Sequence, residues 1–113
     1  MADREITFPS DGLRLSGSLQ VPGTLTGPPS ACLLISGSGP LDRNSNHKRA
    51  RLDVMGQVSD GLAARGIASL RYDRRGVGAS QGEYLAAGLW DNLADARAAL
   101  EDEARDVIRL AET

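Results

Sequence analysis

The sequence predicts an α/β fold, and three observations carry that prediction. Residues Leu13, Leu15, Gly17 and Leu19 alternate with Arg14, Ser16, Ser18 and Gln20, the period of a half-buried strand. Ala31 to Ile35 is apolar at every position, the pattern of a central parallel strand covered on both faces. Between that run and the next apolar run, Ile67 to Asp73, the residues Leu52, Met55, Val58 and Leu62 recur at helical spacing, which makes a strand-helix-strand crossover.

The elements follow in order. Arg4 to Phe8 alternates polar and apolar residues and runs into Pro9-Ser10-Asp11-Gly12, a turn signature, so it should pair with Leu13 to Gln20 as an antiparallel hairpin. Pro22-Gly23 and Gly27-Pro28-Pro29 cannot continue a sheet. After Ala31 to Ile35 comes a long polar connection through Ser36-Gly37-Ser38-Gly39-Pro40 to about Arg51, a candidate functional loop. The first helix is expected from Leu52 to Arg65, with Gly66 as its left-handed C-cap. Arg74 to Gly82 holds three glycines and reads as an exposed loop. Leu89, Leu93, Ala96 and Leu100 then form a helical stripe, continued by Ala104, Val107, Ile108 and Ala111, as one long helix or two with a break near Asp106. Glu101-Asp102-Glu103 is expected on its solvated face.

Composition narrows the function. At 113 residues the chain suits one unit, 1–113, rather than two cores. Hydrophobic residues make up 41% and charged residues 25%, an ordinary globular balance. The 13 basic and 15 acidic residues leave a net charge of −2, without the basic excess that phosphate neutralisation needs; His47-Lys48-Arg49 reads as a solvated loop, so no nucleic-acid partner is expected. The single cysteine, Cys32, lies in an apolar run and is expected to be a buried thiol in a reducing compartment. The N-terminus is charged, and no apolar run approaches about 18 residues. A cytoplasmic protein without membrane contact is expected.

Motif tests exclude more than they admit. In Gly37-Ser38-Gly39-Pro40-Leu41-Asp42 the sixth position of a G-x-G-x-x-G pattern is Asp, and in Gly76-Val77-Gly78-Ala79-Ser80-Gln81 it is Gln. The only lysine, Lys48, belongs to no phosphate-binding loop. A small nucleotide-binding domain is therefore the weakest alternative. One histidine and one cysteine are too few for a zinc site, so no metal and no cofactor are expected, and His47 reads as a surface histidine. Gly78-Ala79-Ser80-Gln81-Gly82 matches the G-x-S-x-G nucleophile elbow by letter. An elbow needs a strand running straight into the serine and a helix straight after it, whereas the strand here ends at Tyr72-Asp73 and no histidine follows Ser80.

Two segments carry a family resemblance: Leu33 to Asn44, reading LLISGSGPLDRN, and Gly66 to Gly82, whose core is the D-x-R-G-x-G-x-S-x-G run from Asp73 to Gly82. They resemble the N-terminal half of an α/β-hydrolase, most closely the bacterial dipeptidyl aminopeptidase/acylaminoacyl peptidase-like serine esterases. The resemblance implies a partial hydrolase sheet that stops before the nucleophile strand. It implies a structural turn at Asp73, Arg75, Gly76, Gly78 and Ser80, in which Asp73 accepts amides or pairs with Arg75. It also implies an oxyanion-hole loop at Gly37, Ser38 and Gly39, with the Ser38 amide as the preferred donor; the alternative is a glycine-rich turn without chemistry. The parent reaction is acyl-serine hydrolysis of a small carboxylic ester or acyl-peptide, but nucleophile, acid and histidine have no counterpart here, which leaves open whether this chain alone is an enzyme.

The same resemblance inserts the fourth strand between the second and third, leaving Ala31 to Ile35 as an open edge. An unpaired apolar edge invites self-association or a partner chain. A non-catalytic interaction module completed through that edge is accordingly the second functional reading.

Overall fold

The Asp11-Gly12 pair sets the first turn of the chain. Both residues have positive φ, 49° and 78°, the combination that a two-residue type I′ hairpin turn requires. In the computed structural model, which describes residues 2–23, 30–37, 39–46 and 51–111, this turn joins β1 (Ala2–Ser10) to β2 (Leu13–Val21) in one antiparallel ladder, from Ala2 opposite Val21 to Ser10 opposite Leu13. β3 (Ser30–Leu34), α1 (Val54–Ala64) and β4 (Ile67–Tyr72) form the crossover, and α2 (Leu89–Ala111) closes the chain as one unbroken helix after a single 3₁₀ turn, Tyr84–Ala86. The sheet order is β1-β2-β4-β3, with β4 antiparallel to β2 and parallel to β3. Both loops singled out in the sequence therefore leave the same edge of the sheet, at the carboxyl ends of β3 and β4.

Helix α1 starts two residues later than expected. Asp53 sits in the left-handed region, φ 50°, so helical geometry begins at Val54. Its end is as expected: Gly66 has φ 82°, and its N–H donates to the carbonyl of Ala63.

Register assigns the two faces of the sheet. One carries Phe8, Leu15, Leu19, Val21, Leu70 and Tyr72, which with Ala99 of α2 make the apolar core; Phe8 meets Tyr72 edge to face at 5.8 Å. The other carries Ser16, Ser18, Gln20, Ser69 and Arg71, all buried. The alternation along β2 suggests a solvated polar face, but α1 and the 39–46 loop cover it. Each polar group there has a partner: Ser59 Oγ of α1 donates to Gln20 Oε1 and lies 2.7 Å from Ser69 Oγ, while Arg71 reaches Ser59, Asn44 and Asp3. Burial without solvation is tolerable because those bonds replace water.

β3 departs from the central strand its composition suggests. It pairs only with β4 among the described residues, Cys32 is half-buried rather than buried, and Ile35 lies just outside the strand and exposed. Among the described residues the outer flank of β3 has no neighbouring strand, so an apolar sequence is left partly uncovered.

The inward face of helix α2 matches the expected stripe at Val107 but not at its leucines. Leu89, Leu93 and Leu100 are 69%, 50% and 54% exposed, whereas Asp95, Ala99, Glu103 and Val107 are buried against the sheet. Glu103 is thus the reverse of the solvated residue expected. The small Ala99 lets the helix approach the core closely, and Arg75 fixes the rotation by gripping Asp95. Leu93 and Leu100 are left facing a groove of about 820 Å³ that Leu33 and Ile35 also line.

Candidate functional site

The loop after β4 is built around Asp73. This carboxylate is buried and accepts four bonds: from the Arg43 amide at 2.7 Å, Arg43 Nη2 at 2.8 Å, Arg43 Nε at 3.3 Å and the Ala79 amide at 3.0 Å. Burial alone would raise its pKa, but the bonds from Arg43 and the two amides outweigh it and hold the carboxyl below the usual range. Arg43 is held protonated by Asp73 and Glu5 against its own burial, and it also donates to Ser18 Oγ. One guanidinium therefore ties β1, β2 and both loops together.

Two glycines are dictated by this packing. Gly78 has φ 56°, and a Cβ placed on it would lie 2.5 Å from Asp73 Oδ2. Gly76 has φ 78°, and its Cβ would fall 2.1 Å from the Tyr84 nitrogen. No side chain fits at either position.

Ser80 is buried, and both functions of its hydroxyl are committed. Its Oγ donates to the Asp73 carbonyl at 2.7 Å and accepts from the Ser16 amide at 2.9 Å. Next to it the Gln81 amide donates to the Arg14 carbonyl, and Gln81 Oε1 accepts from the Arg14 amide. Ser80 and Gln81 thus continue the ladder along β2 after β4 has left it. Nothing in this arrangement frees the hydroxyl or offers it a base, and the letters of G-x-S-x-G are accounted for by backbone pairing and by room for a carboxylate.

Of the two partners that the resemblance implies for Asp73, it accepts amides and does not pair with Arg75. The Arg75 guanidinium grips Asp95 on α2 at 2.9 and 2.7 Å, with Asp11 at 3.2 Å and Asp91 at 3.5 Å, and Ser10 Oγ donates to the same Asp95 at 2.6 Å. Arg43 already fills the Asp73 site, so Arg75 is directed to the other face of the sheet, where it docks α2.

The loop after β3 is clamped at its base. Ser36 Oγ donates to the Asp42 carbonyl at 2.9 Å and accepts from Ser45 Oγ, while the Ser36 carbonyl accepts from Arg74 Nη2 at 2.6 Å. Asp42 Oδ1 in turn accepts the amides of Asn44 and Asn46, which closes a tight turn. Gly39 has φ 103° and Gly37 is exposed, with open space around both α-carbons. Ser38, the preferred oxyanion donor, lies outside the described residues, as do His47, Lys48 and Arg49. Sequence reasoning gave no role to Arg43 or Asp95; Arg43 had a signal, since it stands inside the LLISGSGPLDRN segment next to an acid.

No protein-family model matches the sequence, and no curated protein matches it. Solved structures do. The α/β hydrolase GrgF from Penicillium sp. sh18 is 25% identical, with a TM-score of 0.58 over 74% of this chain and 25% of its own. Est1E from Butyrivibrio proteoclasticus, solved with ferulic acid bound, is 24% identical with a TM-score of 0.64, covering 88% of this chain and 36% of its own. The Pyrococcus furiosus esterase Pf2001 is 21% identical with a TM-score of 0.64, covering 88% and 33%. The chain has the N-terminal portion of an α/β-hydrolase fold. This α/β-hydrolase portion spans between 25% and 41% of the length of the structures it matches. Among the described residues no helix is long and apolar enough to cross a membrane.

Proposed function

We propose that these residues form the oxyanion-loop side of a serine hydrolase, related to the dipeptidyl aminopeptidase/acylaminoacyl peptidase-like esterases, that cleaves small carboxylic esters or acyl-peptide bonds. The observation that carries the reading is the clamped loop at the carboxyl end of β3, the edge of an α/β sheet where ligands bind. Gly37, Ser38 and Gly39 would present a backbone N–H to a developing oxyanion, an interaction worth about 3 kcal/mol of transition-state stabilisation in acyl transfer. Ser80, with Asp73, Arg75, Gly76 and Gly78, serves as a structural turn. Nucleophile, acid and base would come from residues other than these, so p-nitrophenyl esters should not be turned over by the 113-residue chain alone. Turnover that disappears in Ser80→Ala would overturn the reading.

The outer edge of β3, without a neighbouring strand among the described residues, supports a second reading, an interaction module that gains a strand from a second copy or a partner chain. Sedimentation of the purified protein tests it: a dimer, or a stoichiometric complex with a co-purifying chain, supports edge pairing, and a compact monomer with a cooperative melt opposes it.

A further inference from the structure

Helix α2 meets the sheet through Asp95, Ala99, Glu103 and Val107, spaced four residues apart along one face. The two acids on that face have opposite surroundings. Asp95 is gripped by the Arg75 guanidinium and by Ser10. Glu103 is 2% exposed, and its Oε2 has no hydrogen-bond partner among the described residues.

Among the described residues no cation on the facing elements pairs with Glu103. On β2 this face carries Leu15, Gly17, Leu19 and Val21, and on β3 it carries Ala31 and Leu33. β4 adds Ala68, Leu70 and Tyr72, the last with its hydroxyl pKa raised by burial and by Asp95. β1 adds Arg4, which the register puts opposite Leu19 and which is exposed. On α2 itself, Asp102 and Asp106 pair with Arg105 and Arg109, while Arg97 and Glu101 are exposed. An ionised carboxylate in such a place is strongly unfavourable, whereas the neutral acid is tolerated.

We propose that Glu103 makes the docking of the C-terminal half of α2 a protonation-dependent latch, closed while the carboxyl is neutral and released when it ionises and turns to water. The N-terminal half stays held by the Arg75–Asp95 pair. In keeping with the geometry, burial pushes the Glu103 carboxyl up to about 8, a backbone hydrogen bond at Leu70 opposing it only in part. Its pKa in the docked state thus lies above its ordinary 4.5, so docking is strongest below that value and weakens as pH rises toward 8. This property is independent of any hydrolase chemistry.

Amide hydrogen exchange on the 113-residue protein between pH 5 and 9, followed by mass spectrometry and corrected for the intrinsic rate, tests the latch. Protection of residues 100–111 is expected to fall about tenfold per pH unit up to about pH 8 and then level off, while residues 89–96 hold theirs. In Glu103→Gln the fall should vanish. Protection of residues 100–111 that is flat across the range in the wild-type protein, or that falls equally in the folded Glu103→Gln protein, overturns the proposal; if that variant does not fold, the wild-type profile decides.

Discussion

Replacing Asp95 by Asn tests how α2 is attached. Asp95 is 2% exposed and takes two bonds from Arg75, at 2.9 and 2.7 Å, in the forked geometry that makes Arg–carboxylate pairs strong. Asn keeps one acceptor oxygen but turns an NH₂ group toward the guanidinium, so at least one bond is lost and a buried cation loses its countercharge. Removing one partner of a buried ion pair costs about 3–5 kcal/mol. Asp11 and Asp91 remain near Arg75, at 3.2 and 3.5 Å, and place the expected loss at the lower end, about 3 kcal/mol. For a domain of this size that lowers Tm by roughly 10–20 °C. Urea unfolding followed by circular dichroism should show a lower midpoint with an unchanged slope. Asp91→Asn, whose carboxylate is 40% exposed, should cost no more than about 1 kcal/mol. If Asp95→Asn costs as little as Asp91→Asn, Arg75 does not dock the helix and the account of α2 fails.

Other substitutions probe the loop around Asp73. Gly78→Ala must displace the Asp73 carboxylate from a contact of 2.5 Å at positive φ and should destabilise by about 2–4 kcal/mol in thermal melts, whereas Gly23→Ala, with open space around it, should be close to neutral. Ser80→Ala orphans the Ser16 amide and the Asp73 carbonyl, for an expected loss of about 1–3 kcal/mol; a neutral outcome would contradict the structural role given to that hydroxyl. Because the Asp73 pKa is depressed, its contribution is present above the ordinary carboxylate range and is lost as pH falls through the folded value. In Arg43→Ala the two amide bonds to Asp73 remain but the guanidinium's bonds and charge are lost, so its pKa is depressed less and the acid limb of a melting profile between pH 2 and 6 should move to higher pH; an unmoved limb would refute the assignment.

Much of the strand arrangement was legible in the sequence, because strand period, turn chemistry and cap glycines act locally: Asp11-Gly12 and Gly66 stand where the chain turns and where α1 stops. The family resemblance supplied the insertion of β4 between β2 and β3. Facing was harder. The leucine stripe of α2 has proper helical spacing, yet a long-range contact from Arg75 rotates the helix so that Asp95 and Glu103 point inward, and no local pattern encodes a partner 20 positions away. The same holds for Ser16, Ser18 and Gln20, which look solvated in a strand read by itself and are buried once Ser59 of α1 meets Gln20, Arg43 meets Ser18 and the Ala79-Ser80 turn meets Ser16. At the candidate site the glycines and Asp73 were visible as a motif. The cation that satisfies Asp73 is Arg43, 30 residues earlier, and that pairing depends on the sheet bringing two loops to one edge.

Reaction of the purified 113-residue protein with a fluorophosphonate probe, followed by peptide mapping, decides whether the G-x-S-x-G letters around Ser80 form a structural turn on the N-terminal portion of an α/β-hydrolase fold. No adduct on Ser80 is expected, because its hydroxyl is buried and engaged with Asp73 and Ser16. A stoichiometric adduct on Ser80, lost in Ser80→Ala, would contradict it.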